Sequence, residues 1–215
     1  LGCWSVLKAL KDNGFEKNTI VIFSSDNGPE KYAFERAEKY GHYSMGDFRG
    51  LKRDVWEGGH HIPFVIKWPG IVKAGSISNE VISQIDIMAT VAAITQTKIP
   101  KGSAVDSYNL LPLIMGKKHQ SPLREATVHN TYVGSWGLRQ GKWLYINKPT
   151  GEVTKMPESF KKLKGYTDFK TKGLLFDMDK DPEQRVNLYE QFPEKIKEMD
   201  ALIQKYRDQG YSVIK

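Results

Sequence analysis

Thr19-Ile20-Val21-Ile22-Phe23-Ser24-Ser25, followed directly by Asp26-Asn27-Gly28, is the stretch on which the fold turns. The run is β-branched and apolar, without polar alternation. Such a run suits a parallel strand buried on both faces. Upstream, Val6 to Lys11 reads as the end of an amphipathic helix, stopped at Asn13-Gly14, where glycine suits the left-handed cap. A helix, a strand and then a glycine-containing loop form an α/β signature. In open α/β sheets ligands bind beyond the carboxyl ends of strands, which is where Asp26-Asn27-Gly28 stands. Adjacent Asp and Asn oxygens select a hard cation such as calcium or magnesium, not zinc. Gly28 is expected to let the chain turn sharply away. The competing reading of the tripeptide is an ordinary Asx turn.

Residues 28–61 show no clear period and read as a long functional loop. Within it lies Gly50-Leu51-Lys52-Arg53-Asp54-Val55-Trp56-Glu57-Gly58-Gly59. Lys52, on a glycine-bounded loop, can present a point charge to a tetrahedral oxyanion; the competing reading is one more exposed lysine. Glu57 can pair with a cation or cap backbone amides, and Gly58-Gly59 allows a tight passage. Pro63 to Trp68 reads as another buried strand, closed by Pro69-Gly70. Ser83 to Ala93 is helical, with Ile85, Met88, Ala89 and Ala92 on one face. Asn109 to Met115 is a short helical turn ended by Gly116. Trp56 and Trp68 are expected to be packing residues.

The pattern changes near residue 122. Ala126 to Tyr132, Trp136 to Arg139, Lys142 to Ile146 and Leu174 to Asp177 read as short strands, with a tight hairpin at Gln140-Gly141. Pro193 opens the last helix, Ile196, Met199, Ile203 and Tyr206 give it an apolar face, and Gly210 ends it. Gly151 to Gly173 is too mixed for an element to be assigned. Residues 1–121 are therefore expected to be α/β, and residues 122–215 a small four-stranded antiparallel sheet with a C-terminal helix.

With 215 residues, 40% hydrophobic and 11% aromatic, the chain is globular in composition. No apolar run approaches the roughly 20 residues of a membrane span. The net charge of +7 favours an anionic partner: nucleic acid, anionic lipid or sulfated glycan. Much of that charge lies at Lys161-Lys162-Leu163-Lys164 and Lys170-Thr171-Lys172. No nucleic-acid motif is interleaved there, so a solvated lysine-rich loop is preferred. The single Cys3 has no internal disulfide partner. The chain opens on Leu1 without a charged leader, so it is read as a piece of a longer protein.

Taken together, these segments resemble the sulfatase family, the arylsulfatase-type branch of the alkaline phosphatase superfamily. The resemblance runs from Asn18 through Ile20-Val21-Ile22-Phe23-Ser24-Ser25-Asp26-Asn27-Gly28, then Arg49-Gly50-Leu51-Lys52 and Trp56-Glu57-Gly58-Gly59. It continues in Pro63-Phe64-Val65-Ile66-Lys67-Trp68-Pro69-Gly70, Ser83-Gln84-Ile85-Asp86-Ile87 and the hairpin Leu138-Arg139-Gln140-Gly141-Lys142-Trp143-Leu144-Tyr145. It ends with Leu175-Phe176-Asp177-Met178-Asp179-Lys180-Asp181-Pro182-Glu183 and Asn187-Leu188. The fold implied is the C-terminal part of an alkaline-phosphatase-like mixed sheet plus the small antiparallel sheet. The activity implied is hydrolysis of carbohydrate or aryl sulfate esters by a calcium-assisted formylglycine mechanism. Asp26 and Asn27 match one pair of ligands to a single calcium ion, and Lys52 matches a catalytic, sulfate-contacting lysine. The family also implies a sulfated small molecule or glycan as partner and an extracytoplasmic location: periplasmic, secreted or lysosomal.

Three departures stand out. The Cys/Ser-x-Pro/Ala-x-Arg motif that supplies formylglycine is absent. Cys3-Trp4-Ser5-Val6-Leu7 does not fit, and Ser135-Trp136-Gly137-Leu138-Arg139 has glycine at the third position. That motif, two further acidic metal ligands and a leaving-group histidine are expected upstream of Leu1, which leaves the calcium site incomplete in this chain. His61 stands where the family usually has Arg. His42, His60 and His61 border the expected site. His60 is the candidate contact to the leaving group or a sugar hydroxyl, against a structural reading for each histidine, His129 included. Two alternatives stay open: a non-catalytic module binding polyanions through its basic surface, and a phosphodiesterase or phosphonate hydrolase of the same superfamily. The latter usually carries Asp-His-Gly where this chain has Asp26-Asn27-Gly28.

Overall fold

The computed structural model describes residues 2–117, 122–131 and 134–213. The chain forms two compact units, residues 1–25 with 63–123, and residues 26–62 with 124–215. The chain passes between the units at 25/26, 62/63 and 123/124, whereas the sequence suggested a single division at 121/122. It did not anticipate that residues 26–62 group with the C-terminal segment.

In the first unit, α1 (Cys3–Asp12) runs to Asn13, and Gly14 follows in the left-handed region at φ 76°. The strands are β1 (Val21–Ser24) and β2 (Phe64–Lys67). They pair antiparallel, with Val21 opposite Lys67 and Ser24 opposite Phe64. The direction of this pairing differs from the parallel reading. Among the described residues β1 has β2 as its only strand neighbour, and Phe23 and Val65 are 48% and 58% exposed. α3 (Asp86–Ile94) and α4 (Leu111–Ile114) lie across an apolar cleft lined by Ile20, Ile22, Phe64, Ile66, Val91 and Ile94. Asp86 ties these helices together: its carboxylate accepts from Ser83 N at 2.8 Å and from Tyr108 N at 2.9 Å.

The second unit is built on a four-stranded antiparallel sheet in the order β3 (Thr127–Asn130), β4 (Trp136–Gln140), β5 (Trp143–Ile146), β6 (Leu174–Asp177). Tyr132, the end of the expected first strand, lies outside the described residues. The hairpin is one residue displaced from expectation. Gln140 pairs with Trp143, so Gly141-Lys142 forms the two-residue loop, with Gly141 at φ 54°.

Alternation along the strands sends side chains to both faces, and both are covered. Leu138, Tyr145 and Leu175 pack with Ile196, Met199, Leu202, Ile203 and Tyr206 of α6 (Pro193–Gln209). Tyr145 Oη also donates to Asp200 at 2.7 Å. On the opposite face Leu144, Ile146, Leu174 and Phe176 pack with Val55 and Trp56. Val55 and Trp56 thus seat the loop expected to be functional on this sheet.

Residues 28–61 are not wholly irregular. They contain α2 (Tyr32–Tyr40) and a 3-10 turn at Glu57–Gly59. Ala33, Phe34 and Ala37 of α2 are buried against Phe160 of α5 (Glu158–Lys164) and against Leu51 and Met156. α5 occupies the stretch to which the sequence assigned no element. Pro157 precedes it and Gly165, at φ 67°, closes it.

Candidate functional site

Two segments of the second unit lie side by side. Gly28 N donates to Gly59 O at 2.8 Å, and Lys52 N donates to Pro29 O at 2.9 Å. Glycine at position 28 is required by this approach, since a Cβ there would sit 1.9 Å from Gly58 O. Residues 26–28 form a bend, as expected, although Gly28 does not take a positive φ. Gly58 and Gly59 are equally constrained: their Cβ atoms would come within 2.4 Å of Gly50 O and 2.3 Å of Asp54 O.

The turn bearing Lys52 is fixed from beneath by buried Asp54. Its Oδ2 accepts from Leu51 N at 2.8 Å, and its Oδ1 from Val153 N at 2.7 Å and Thr154 N at 2.8 Å. Burial raises the Asp54 carboxyl to about 6 despite these three donors. Thr154 Oγ1 also donates to Lys52 O at 3.0 Å. Arg53, at φ 79°, holds a left-handed conformation that costs a non-glycine residue roughly 1 kcal/mol or more.

The expected site residues are placed as follows. Asp26 is exposed and makes no hydrogen bond or ion pair among the described residues. Asn27 Nδ2 donates to Gly28 O at 2.8 Å. Lys52 Nζ lies 3.1 Å from Glu30 Oε1. His60, next to Gly59, turns to the sheet: its ring centroid is 3.7 Å from that of His129, and its Nε2 is 3.6 Å from Glu57 Oε2. His60 Nδ1 is buried without a hydrogen-bond partner. His42 is exposed, two residues beyond α2. Asp26 and Asn27 suit a hard cation by donor type. Among the described residues no group of three His, Cys, Asp or Glu could hold a metal ion.

Further residues complete the arrangement: Glu57, which the sequence read as a partner for a cation, with His61 and His129, and Arg49, Arg139 and Gln184, to which it gave no role. Buried Glu57 is met by His61 Nδ1 at 2.8 Å, and Arg139 Nη1 lies 3.8 Å away. Burial would raise the Glu57 carboxyl, but hydrogen bonds and charge from His60 and His61 outweigh it and hold the group far below the usual range. His61, standing in place of the usual Arg, therefore serves Glu57. His129 Nε2 donates to Val55 O at 3.2 Å, and desolvation pushes its imidazole down to about 3. Gly137 leaves room for that ring; a Cβ there would be 2.3 Å from Nε2. Arg49 is 2% exposed and stacks over Trp56, Tyr166 and Phe169 at 4.3–5.2 Å. Gln184, wholly buried, accepts from Glu57 N at 2.8 Å. These long-range partners leave no local spacing signal. Glu30 does: it follows Asp-Asn-Gly-Pro directly, in the segment that already drew attention.

The chain belongs to the sulfatase family, whose sequence profile matches residues 4–97. It is 33% identical over 205 residues to an N-acetylgalactosamine-6-O-sulfatase of Bacteroides thetaiotaomicron, spanning 93% of this chain and 38% of that protein. It is 31% identical over 156 residues to human arylsulfatase D, spanning 70% of this chain and 24% of that protein. A solved B. thetaiotaomicron structure, described in connection with the metabolism of multiple glycosaminoglycans, superposes with a TM-score of 0.77 at 32% identity. That superposition covers 95% of this chain and 42% of the other. The α/β fold is that of the sulfatases, and the chain spans about two fifths of the length of the B. thetaiotaomicron relatives. No helix among the described residues is long and apolar enough to cross a membrane.

Proposed function

We propose that the protein to which this chain belongs is a sulfuric ester hydrolase acting on carbohydrate or aryl sulfates. In this reading residues 1–121 form the C-terminal part of its catalytic α/β domain and residues 122–215 its terminal subdomain. The observation that carries the reading is the pairing of the Asn27–Glu30 segment with the Lys52–Gly59 loop. A lysine on a turn pinned by Asp54 is thereby held beside the Asp-Asn-Gly segment. Asp26 and Asn27 would hold a calcium ion with ligands from elsewhere in the whole protein. Such an ion, when bound, stabilises negative charge on sulfuryl oxygens.

Lys52 would meet a sulfate oxygen through its ammonium group, an electrostatic contact that strengthens as charge develops. His60, with Nδ1 unsatisfied and its ring fixed by His129 and Glu57, would contact the sugar or leaving group. The nucleophile would be a formylglycine in another segment. The names of the relatives support a sulfated glycan or aryl sulfate as substrate, and the family supports a location outside the cytoplasm. The polyanion-module reading is weakened by the lysine-rich segment itself. Lys161 is tied to Glu158 and Asp168, and Lys164 to Glu183, at 3.0–3.7 Å.

The test is steady-state turnover of 4-nitrophenyl sulfate by the full-length protein. Lys52→Ala is expected to lower kcat about a hundredfold or more, as loss of an oxyanion-stabilising group does. Lys52→Arg should rescue only in part, because a planar guanidinium differs in reach and shape. Turnover by Lys52→Ala within about twofold of wild type would return Lys52 to the status of a surface lysine.

A further inference from the structure

We propose that Glu30 is a positioning residue that fixes the ammonium of Lys52, with Arg53 locking Glu30 in turn. This rests on the reading of Lys52 as the sulfate contact. Arg53 grips the Glu30 carboxylate in a two-point fork, Nη1 to Oε2 at 3.0 Å and Nη2 to Oε1 at 3.2 Å. Lys52 Nζ shares Oε1 at 3.1 Å. Among the described residues Glu30 is the only group that Lys52 Nζ contacts. The Lys52 side chain is 34% exposed, so about a third of it is not covered by the residues around it. An ammonium has three donors. One is directed at Glu30, and two remain for a tetrahedral anion.

The backbone supports the same geometry. Lys52 N bonds Pro29 O, one residue before Glu30, so the two side chains leave adjacent points of two joined segments. Arg53 reaches Glu30 from a left-handed conformation that Asp54 helps to hold by binding Leu51 N. Two cations share one carboxylate, and the trio keeps a net positive charge toward an approaching sulfate. The hydrogen bonds from Arg53 and then Lys52 hold the Glu30 carboxyl down at about 2, so it stays ionised across the working pH range. Lysine on a free four-carbon stem samples many positions. Tethering it to Glu30 reduces what must be ordered at the moment of reaction.

The consequence is a split in kinetic constants. Glu30→Gln in the full-length protein frees the ammonium, so kcat on 4-nitrophenyl sulfate should fall about tenfold. Loss of the carboxylate makes the loop more positive, so KM should stay level or fall. A general loss of structure would not produce that combination. In the Lys52→Ala background Glu30→Gln should have no further effect on kcat, since a residue acting through Lys52 has nothing left to position. Arg53→Gly, which removes the fork while suiting the left-handed backbone, should reproduce part of the kcat loss and serves if Glu30→Gln folds poorly.

A readout independent of turnover is the rate at which acetic anhydride labels Lys52, followed by mass spectrometry. Glu30→Gln should raise it several-fold. Labelling at the wild-type rate, or an undiminished Glu30→Gln effect without Lys52, would overturn the positioning role. If Lys52→Ala is itself silent in turnover, the sulfate reading fails, while the labelling rate still decides whether Glu30 holds the lysine.

Discussion

Replacing Gly28 by alanine tests whether the two site segments are held by backbone contact. The new Cβ would sit 1.9 Å from Gly58 O, 2.9 Å from Gly58 C and 3.0 Å from Gly59 C. All three are backbone atoms, so no side chain can swing aside. Relief requires the segments to part by about an ångström, which breaks the 2.8 Å bond from Gly28 N to Gly59 O. Forcing a group into a packed site costs about 1–3 kcal/mol, and the lost hydrogen bond adds about 0.5–1.5 kcal/mol. The expected destabilisation is therefore about 2–4 kcal/mol, or a fall in Tm of about 5–15 °C for a chain of this size. Gly141→Ala is the control. Its φ is 54° but its Cβ would meet nothing within 4 Å, so the cost should stay near 1 kcal/mol. Thermal unfolding would be followed by the fluorescence of Trp56, which is 1% exposed in the same unit. A Gly28→Ala variant within about 0.5 kcal/mol of wild type would mean that the segments are not in backbone contact, and the site geometry built on that contact would fall with it.

Acid should act through His129, whose folded-state value is depressed to about 3 from an ordinary 6.5. The unfolded chain then takes up a proton near pH 6.5 that the folded chain refuses, so stability is complete above that pH and is lost as pH falls toward 3. Asp54, raised to about 6, works in the opposite sense, its contribution declining as pH rises from about 4 to 6. Comparing wild type with His129→Asn cancels that shared term. Between pH 7 and 4.5 the variant should gain about 2–3 kcal/mol relative to wild type in urea titrations, at about 1.4 kcal/mol per pH unit; parallel pH profiles would show that His129 is not desolvated. For the metal, Asp26→Ala in the full-length protein should weaken calcium binding at least tenfold by calorimetry. Unchanged affinity would remove Asp26 from the ligand set.

The sequence by itself determined the elements whose periodicity and punctuation are local. β6 was bounded correctly at Leu174–Asp177 because a fully buried four-residue run between turn residues has few other readings. α6 followed from Pro193, a 3.6-residue apolar stripe and Gly210, which takes φ 73° after its last turn. Membership in the sulfatase family was legible in the order of short motifs around Asp26, Lys52 and Glu57. α2 was also legible in principle, since Ala33, Phe34 and Ala37 form a helical face, but charged residues between them obscured it. Tertiary structure alone decided the rest. The pairing of β1 with β2 and its direction depend on which neighbour is present, and a run of β-branched residues does not specify that. The grouping of residues 26–62 with the C-terminal sheet rests on Val55 and Trp56 packing onto Leu144, Ile146, Leu174 and Phe176, some ninety to one hundred and twenty positions away. Gly28 was read as a turn; it lies in a bend and is also a point of close backbone approach, which resides in Gly58 rather than in Gly28. The assignment of Glu30 to Lys52 and Arg53, and of His61 to Glu57, likewise belongs to the folded chain. An ion pair is set by distances across space, and the sequence encodes those only through the packing of everything between.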